Sequence, residues 1–389
     1  MKKLTLSRPM TPSEIEDLYY KIVRTPEFYN EDYANEWKKD DTPQNIISKM
    51  AVKYFKPARV IDIGCGLGNV VKYLRKEGVD AYGIDYSETF INTALPDLRK
   101  FLRVGDVTQL DLKEKSFDLV ICMEVLEHLP LKLVDKAIDE LKKICKGSIF
   151  ITMPCFGPNE YGPYALPLYE KGWFEDAKKN IPFSQIVVDE KGVPDCGHLT
   201  LATYRWWSEK FLQHNLVRDG NLEIKINDDR ELDLRRWNWN IYVLNKISSN
   251  NISAENSQFG SGWYHVEDWG NNGQIRWTEK EAEAFLMPQG HETTCKIDFY
   301  SGPRELIYDT KGEIIIEQDD STSTFEKGKI KFSLPVHEWG IIEVPLSKLI
   351  PGRHLRVKIK CDRKFNPRRI LNSTDNRELG IAVRRIYLE

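Results

Sequence analysis

The first half of the chain alternates short apolar runs with segments of helical character. Between residues 58 and 153, apolar runs are followed by stretches in which apolar residues recur at helical spacing. Buried runs separated by helices are typical of βαβ units, in which helices cover both faces of a parallel sheet. The runs that predict its strands are 60–63, 81–84, 119–123 and 149–153.

The C-terminal part of the chain follows a strand pattern instead. Leu355, Val357 and Ile359 alternate with basic residues, which places one face of a strand in a core and the other in water. A polar stretch at 250–257 is typical of a linker. Beyond it, short strands between turns predict a β-sandwich of jelly-roll type over 255–389. The strand candidates are 313–317, 329–334, 341–344, 355–360 and 381–388.

Three further segments complete the predicted organisation. Residues 1–55 carry apolar positions at helical spacing and predict a helical cap on an α/β domain over 56–250. The irregular stretch 154–200 is typical of a substrate-facing insert. The segments 222–226 and 240–244 predict an antiparallel pair that finishes the sheet.

Composition narrows the class of protein. The 389 residues are 41% hydrophobic and 30% charged, with 56 Lys and Arg against 59 Asp and Glu, for a net charge of −3. This balance argues against disorder and against nucleic acid as a partner. No apolar run is long enough to span a membrane or to form a secretory signal. Seven cysteines without a Cys-x-x-Cys pair do not predict a disulfide framework, and we expect a cytoplasmic protein.

A glycine-rich loop follows the first predicted strand. Gly64, Gly66 and Gly68 allow a tight turn and a close approach of the backbone to a ligand. This spacing differs from the Gly-x-Gly-x-x-Gly fingerprint of dinucleotide-binding folds, which remain the alternative. Asp85 ends the second strand, where a carboxylate can accept the hydroxyl protons of a ribose, and Asp106 follows the third strand.

Together these motifs resemble the class I S-adenosylmethionine-dependent methyltransferases over roughly residues 40–245. The resemblance implies a Rossmann-like, seven-stranded domain that binds S-adenosylmethionine. It implies that Asp62 and the glycine loop lie beside the methionine part of the cofactor and that Asp85 contacts the ribose. It also implies that Asp106 lies near the adenine amine and that Cys122 or Met123 lies along the side of the cofactor. The expected cofactor-binding residues are Asp62, Gly64, Cys65, Gly66, Asp85, Tyr86, Asp106, Val107, Cys122 and Met123.

Acceptor chemistry is expected at a second motif. Glu124, Glu127 and His128 would share a face if a helix began there, and His198 lies on the insert. Glu-x-x-Glu-His with a later His resembles the metal-binding pattern of small-RNA and ubiquinone-pathway O-methyltransferases. The resemblance implies that these four residues hold a divalent ion such as Mg²⁺ or Mn²⁺. His198 as sole general base, and a bracing role for Glu127 and His128 at the helix start, remain the alternatives.

Aromatic residues suggest sugar contacts, with ordinary packing as the alternative. Those on the insert and the helix after it are Phe156, Tyr161, Tyr164, Tyr169, Trp173, Phe174, Phe183, Tyr204, Trp206 and Trp207. The aromatic residues of the cap are instead expected to close over the cofactor, again with packing as the alternative, and they are Tyr20, Tyr29, Tyr33 and Trp37. The Gly-Trp-Tyr and Arg-Trp motifs of 255–389 resemble β-sandwich modules attached to bacterial surface-polysaccharide enzymes. This resemblance implies a glycan context, with Trp263, Tyr264, Arg276 and Trp277 as a stacking platform. Docking or homo-oligomerisation is the alternative role of this module.

We therefore predict an enzyme, an S-adenosylmethionine-dependent O-methyltransferase. Its expected acceptor is a sugar hydroxyl of a cell-surface glycan such as O-antigen, or of a nucleotide- or lipid-linked precursor. The expected catalytic residues are Glu127, His128 and His198. One alternative is a small-metabolite O-methyltransferase of the ubiquinone-pathway type, and another is a non-catalytic, glycan-binding scaffold.

Overall fold

In the computed structural model the chain divides into two compact units. The first comprises Met1–His214 with Leu222–Leu244, and the second comprises Asn215–Asn221 with Asn245–Glu389. The structure describes residues 12–25, 30–36, 40–157, 171–184, 186, 194–234, 240–319 and 323–389.

A seven-stranded sheet with the expected Rossmann-like architecture forms first along the chain. Its strands are β1 Arg59–Ile63, β2 Asp80–Asp85, β3 Leu102–Val104, β4 Phe117–Met123, β5 Cys145–Met153, β6 Leu216–Arg218 and β7 Asn240–Lys246. The strand order is β3-β2-β1-β4-β5-β7-β6. Strands β1 to β5 pair in parallel, so their carboxyl ends meet at one edge: Ile63 lies opposite Ile84 on one side and Cys122 on the other.

Helices in the described part of the first unit bury one face each. Val70, Val71 and Leu74 of α4 pack in the same core as Leu119 and Ile121 of the central strand. The helices are α1 Pro12–Val23, α2 Glu31–Glu36, α3 Thr42–Met50, α4 Asn69–Lys76, α5 Glu88–Thr93, α6 Pro96–Arg99, α7 Leu131–Ile144, α8 Lys171–Lys179, α9 Tyr204–Gln213 and α10 Gly220–Asn227.

The prediction of a strand at 222–226 is wrong, because this segment lies within α10 and the strand comes earlier, as β6. Glu223 and Ile226 are buried three residues apart, a helical spacing. The Glu223 carboxylate accepts hydrogen bonds from the Val243 N–H at 2.9 Å and the Tyr204 hydroxyl at 3.3 Å. These tertiary contacts favour the helix over the strand that the apolar residues suggest.

Within the second unit, residues 251–388 form two antiparallel sheets. Their strands are β8 Asn251–Ser253, β9 Trp263–Asp268, β10 Gln274–Thr278, β11 Glu281–Leu286, β12 Thr294–Tyr300, β13 Thr310–Asp319, β14 Thr324–Leu334, β15 Trp339–Pro345, β16 Leu355–Cys361 and β17 Ala382–Leu388, and one short helix is α11 Pro367–Ile370. One sheet has the order β15-β12-β17-β10-β9 with β8 beside β17, and the other has the order β11-β16-β13-β14.

A shared core joins these two sheets into the expected sandwich. Ile297 and Ile386 of the first sheet lie in one apolar cluster with Ile314 and Val357 of the second. The predicted alternation in β16 is confirmed, since its apolar residues are buried and the basic ones between them are partly exposed. Jelly-roll connectivity stays a prediction. Among the described helices, none combines the length and the apolar character that a membrane span requires.

Candidate active site

The glycine loop turns sharply at the carboxyl edge of β1. The Gly64 N–H donates to the Ile84 carbonyl at 2.7 Å, and Gly64 has a φ of +79°. A Cβ at this position would lie 2.2 Å from Cγ2 of Val125, so only glycine fits here. The carboxylate of Asp85 accepts the Gly66 N–H at 2.8 Å, which ties the loop to the end of β2.

A cavity of about 390 Å³ opens at this edge of the sheet. It brings together nine of the ten residues expected at the cofactor, namely Asp62, Gly64, Cys65, Gly66, Asp85, Tyr86, Asp106, Val107 and Met123. The tenth, Cys122, is fully buried and does not line the cavity. Neighbouring residues of a strand face opposite sides of the sheet, so Met123 and Cys122 do not share this wall.

Burial sets the charge state of the acidic residues around the cavity. Burial, with a smaller contribution from the nearby charge of Asp85, raises the pKa of Asp62 to about 8. Burial also raises the pKa of Asp85, although hydrogen bonds from the Ser87 and Gly66 N–H groups oppose it. These two N–H groups donate to different oxygens, which leaves each oxygen of Asp85 a further lone pair.

Sequence reasoning missed Arg24, which lines the cavity from the residue after α1. Its guanidinium forms an ion pair with Asp106, with Nη1 2.7 Å from Oδ2. The Asp106 Oδ1 accepts the N–H and the hydroxyl of Thr108, both at 2.8 Å. No local signal identifies Arg24, because its partner lies 82 residues along the chain. Tyr20, by contrast, was expected over the cofactor and lines the same cavity.

Two histidines and a glutamate form a cluster beside the cavity. One ligand atom from each of Glu127, His128 and His198 lies within 4.8 Å of the others. Both histidines line the cavity, whereas Glu127 is fully buried behind it. Within the described part of the chain, the neighbouring Glu124 carboxyl is the one side chain found to share a hydrogen bond with the Glu127 carboxyl. Buried carboxyl oxygens with so few partners are unusual in folded proteins and suit a ligand or a proton.

Hydrogen bonding assigns the tautomer of His128. Its Nδ1 lies 3.1 Å from the Gly197 carbonyl, which can only accept, so Nδ1 carries the proton. Burial lowers the pKa of His128 to about 3 and that of His198 to about 4, and both rings are neutral at pH 7. The 3.8 Å contact between His128 Nε2 and the Glu127 carboxyl is therefore not an ion pair. His128 Nε2 is left as an unprotonated nitrogen.

Backbone contacts hold the two parts of the cluster together. The carbonyl of Glu127 accepts the N–H groups of Leu199 and Thr200 at 2.7 and 2.9 Å. These bonds place His198 with its ring centre 5.1 Å from that of His128. Together with the contact between His128 and the Gly197 carbonyl, they tie the insert to the 3₁₀ turn after β4 on both sides of His198.

The shared helical face expected for Glu124, Glu127 and His128 does not form. Strand β4 ends at Met123, Glu124 has a φ of +53°, and only 126–128 form a single 3₁₀ turn. Glu124 lines the cavity, but it lies outside the cluster of three. Burial raises the pKa of Glu124 to about 7. The pKa of Glu127 is also raised, first by burial and then by the nearby charge of Glu124.

The predicted aromatic surfaces are mainly packing. Phe156, Trp173 and Phe183 form a buried cluster with Leu201, and none of them lines the cavity. Tyr204, Trp206 and Trp207 are buried in α9, while Phe174 is exposed. In the second unit, Trp263, Arg276 and Trp277 are buried and Tyr264 is partly buried. Tyr29, Trp37, Tyr161, Tyr164 and Tyr169, and the side chain of Tyr33, lie outside the described residues.

Comparison with known proteins finds a family match within the first unit. Residues 61–151 match the family model of a methyltransferase domain. This segment runs from β1 into β5 and contains the glycine loop together with Asp62, Asp85, Asp106, Glu124 and Glu127. The chain therefore contains a methyltransferase domain of Rossmann-like fold.

Curated relatives share part of this domain. The chain is 37% identical over 78 residues to a ubiquinone biosynthesis O-methyltransferase of Methylococcus capsulatus, covering 18% of this chain and 33% of that protein. It is 28% identical over 134 residues to the protein of the same name from Dechloromonas aromatica, covering 31% of this chain and 57% of that protein. The chain thus spans less than two thirds of the length of these relatives.

Solved structures with similarity to the chain include two further proteins. One is phosphoethanolamine N-methyltransferase 2 of Haemonchus contortus in complex with S-adenosyl-L-methionine, with 16% identity, a TM-score of 0.39, and coverage of 59% of this chain and 60% of that one. The other is the PH0226 protein of Pyrococcus horikoshii, with 17% identity, a TM-score of 0.35, and coverage of 59% and 98%.

Proposed function

We propose that this protein is an S-adenosylmethionine-dependent O-methyltransferase. The observation that carries the proposal is one cavity lined both by the glycine loop with its carboxylates and by the two neutral histidines. In-line methyl transfer requires the donor and the acceptor oxygen to be held together, and this cavity offers groups suited to each. The match of 61–151 to a methyltransferase domain supports the same conclusion.

The cofactor would bind through the carboxylates and the glycine loop. The remaining lone pairs of Asp85 suit the two hydroxyls of a ribose, and an ionised Asp106 suits the adenine amine. Asp62 and the loop from Gly64 to Gly66 would lie beside the methionine part. Met123, rather than the buried Cys122, would contact the side of the cofactor.

At the acceptor, His198 is the proposed general base. The hydroxyl oxygen would attack the methyl carbon, the carbon–sulfur bond would break to leave a neutral thioether, and the hydroxyl proton would pass to the imidazole. Burial makes His198 a weak base, with a pKa of about 4, so a sugar hydroxyl would need further activation.

A divalent ion is the alternative means of activation, in which His198 is a ligand and not the base, because a neutral imidazole has one lone-pair nitrogen. The residues fit one, because one ligand atom from each of the two neutral imidazoles and the buried Glu127 carboxyl lies within 4.8 Å of the others. Glu127, His128 and His198 would hold it, with Glu124 alongside. Two nitrogen ligands favour Zn²⁺ or Mn²⁺ over Mg²⁺. When bound, the ion would lower the pKa of the acceptor hydroxyl.

A sugar hydroxyl of a cell-surface glycan, or of its nucleotide- or lipid-linked precursor, is the proposed acceptor. The β-sandwich of the second unit supports this choice, because a small soluble metabolite requires no second unit. A small phenol of the ubiquinone-precursor type is the second candidate, and the names of the curated relatives favour it. Methylation of a glycan panel against a phenol panel, with and without chelator, separates the two acceptors and tests the metal.

We also propose a cytoplasmic location. All seven cysteines lie among the described residues, and none of them forms a disulfide. This pattern is typical of a reducing compartment. Homo-oligomerisation through the second unit stays a prediction.

The first test is calorimetric titration of S-adenosylmethionine into the wild-type protein and the Asp85→Ala variant. We expect the variant to lose about a hundredfold in affinity, because two hydrogen bonds to a charged group are lost. Asp97→Ala, at an exposed aspartate of α6, is the matched control and should bind like the wild type. A wild-type protein that binds no S-adenosylmethionine would contradict the enzymatic proposal and favour the glycan-binding scaffold.

A further inference from the structure

Arg24 holds the carboxylate of Asp106 from outside the motif that contains it. The guanidinium contributes one contact, at 2.7 Å to Oδ2, and Thr108 contributes two contacts to Oδ1. Burial alone would raise the pKa of Asp106, but the Thr108 hydrogen bonds and the Arg24 charge outweigh it and hold that pKa below its usual value. Asp106 is therefore ionised, accepts hydrogen bonds only, and is fixed in one rotamer.

The same guanidinium also contacts the tyrosine that follows Asp85. Its central carbon lies 4.7 Å from the ring centre of Tyr86, a distance typical of a cation–π contact. The hydroxyl of Tyr86 donates to the Val23 carbonyl at 2.9 Å. Arg24 additionally donates to the hydroxyl of Tyr20 and lies 5.1 Å from the centre of its ring. These contacts connect the end of α1 with the residue that follows β2 and with the loop that contains Asp106.

These residues all face the proposed cofactor space. Tyr20, Val23 and Arg24 line the cavity together with Tyr86 and Asp106. Among the described residues that line it, Arg24 is the sole lysine or arginine. The positive charge of Arg24 therefore lies next to Asp106, the carboxylate that is expected to contact the uncharged adenine.

We infer that Arg24 is a cofactor-positioning residue, which fixes the Asp106 carboxylate and the Tyr86 ring in the orientation that receives the adenine of the methyl donor. The inference rests on the proposed function. Arg24 takes no part in methyl transfer and acts through Asp106 and Tyr86. Fixing these groups before the ligand arrives removes the entropy that their ordering would otherwise cost on binding.

The opposite role, in which Arg24 fills the adenine space and must leave first, predicts the opposite result. A carboxylate oxygen has two lone pairs, and Arg24 uses one of those on Oδ2. Oδ2 can thus accept an adenine amine while the ion pair persists. Removal of Arg24 therefore weakens cofactor binding if it positions Asp106, and strengthens binding if it blocks the site.

Binding experiments with Arg24→Met test the inference without a known acceptor. We expect affinities for S-adenosylmethionine and S-adenosylhomocysteine to fall together, by about tenfold, because both share the adenosine. Arg24→Lys keeps the charge but not the planar group, and should recover part of the loss. The matched control is Arg59→Met, since Arg59 also pairs with an aspartate and lies 5.2 Å from a tyrosine ring, away from the cavity.

A second measurement distinguishes positioning from loss of structure. S-inosylhomocysteine carries a carbonyl oxygen in place of the adenine amine, and a fixed carboxylate repels it. The wild type should prefer S-adenosylhomocysteine, and Arg24→Met should reduce this preference by about tenfold, because the released Asp106 can turn away. Arg59→Met should leave the preference unchanged.

Each outcome decides a separate point. Unchanged or tighter binding by Arg24→Met, or an equal loss in Arg59→Met, would overturn the role of Arg24 while leaving the proposed function intact. A preference for the adenine base that survives in Arg24→Met would also overturn it. Failure of the wild-type protein to bind either adenosine ligand would overturn the proposed function and this inference with it.

Discussion

At the scale of single residues, Asp62 decides how cofactor affinity should depend on pH. Burial, then the charge of Asp85, raises its pKa to about 8, so it carries a proton at neutral pH in the free protein. In the proposed site the cofactor ammonium would favour the ionised form. Binding would then release one proton, and affinity would rise with pH, by at most about tenfold per unit, and level off above pH 8.

Calorimetry in two buffers of different ionisation enthalpy measures this proton release directly. Asp62→Asn should abolish both the release and the rise of affinity with pH. The exposed Asp97→Asn should change neither. A wild-type affinity that stays constant between pH 6 and pH 8 would contradict the assignment of Asp62 to the cofactor ammonium.

The site residues that could be predicted are those held by local sequence. Asp85 and the glycine loop belong to one βαβ unit, from β1 through α4 to β2, so a single continuous segment identifies them. Arg24 reaches the cavity only through a contact between distant parts of the chain, which no such segment contains. The sequence around Glu124 also gives no sign of its left-handed φ of +53°. This backbone conformation prevents the expected helical face from forming.

At the scale of elements, the glycine loop is sensitive to a single methyl group. In Gly64→Ala the new Cβ would overlap Cγ2 of Val125 at 2.2 Å, in addition to the strain of a φ of +79°. We expect this variant to lose S-adenosylmethionine binding and to be less stable by more than backbone strain alone, which costs about 1–2 kcal/mol. Urea unfolding and calorimetry measure the two effects.

The matched control is Gly78→Ala, after α4. Gly78 has a φ of +81°, and a Cβ there would meet no atom within 4 Å. This variant should carry the backbone strain but keep cofactor binding. Equal destabilisation of the two variants would show that Val125 relaxes freely, and Gly64→Ala combined with Val125→Ala should recover stability if the overlap is the cause.

Elements were predictable where periodicity and burial agree. The parallel strands β1, β2, β4 and β5 are apolar runs buried on both faces, and β16 alternates as a one-sided strand should. In 222–226 the same apolar content was ambiguous, since helix and strand both bury such residues. Contacts of Glu223 with β7 and α9 decide for the helix, and the sequence of the segment does not contain them.

At the scale of the whole molecule, two units with their own cores should respond separately to ligand and to mutation. S-adenosylmethionine at a hundredfold excess over its dissociation constant should stabilise the first unit by about 2.7 kcal/mol. Ile359→Ala, at a fully buried residue of β16, should destabilise the second unit by about 2–5 kcal/mol. Scanning calorimetry should resolve two transitions, each moved by one of these changes. A single transition moved by both would contradict independent folding.

Cys196 provides a thiol at the cavity that a chemical reagent can modify. It is the exposed member of the seven cysteines, the other six being buried, and it lines the cavity two residues before His198. A maleimide reagent should therefore label the folded protein at this thiol, and a molecule seated beside it should slow the labelling. The rate of this modification can be measured by mass spectrometry in the presence of each member of a set of unmodified sugars and phenols. Compounds that slow the labelling are candidate acceptors, and no methylated product needs to be detected.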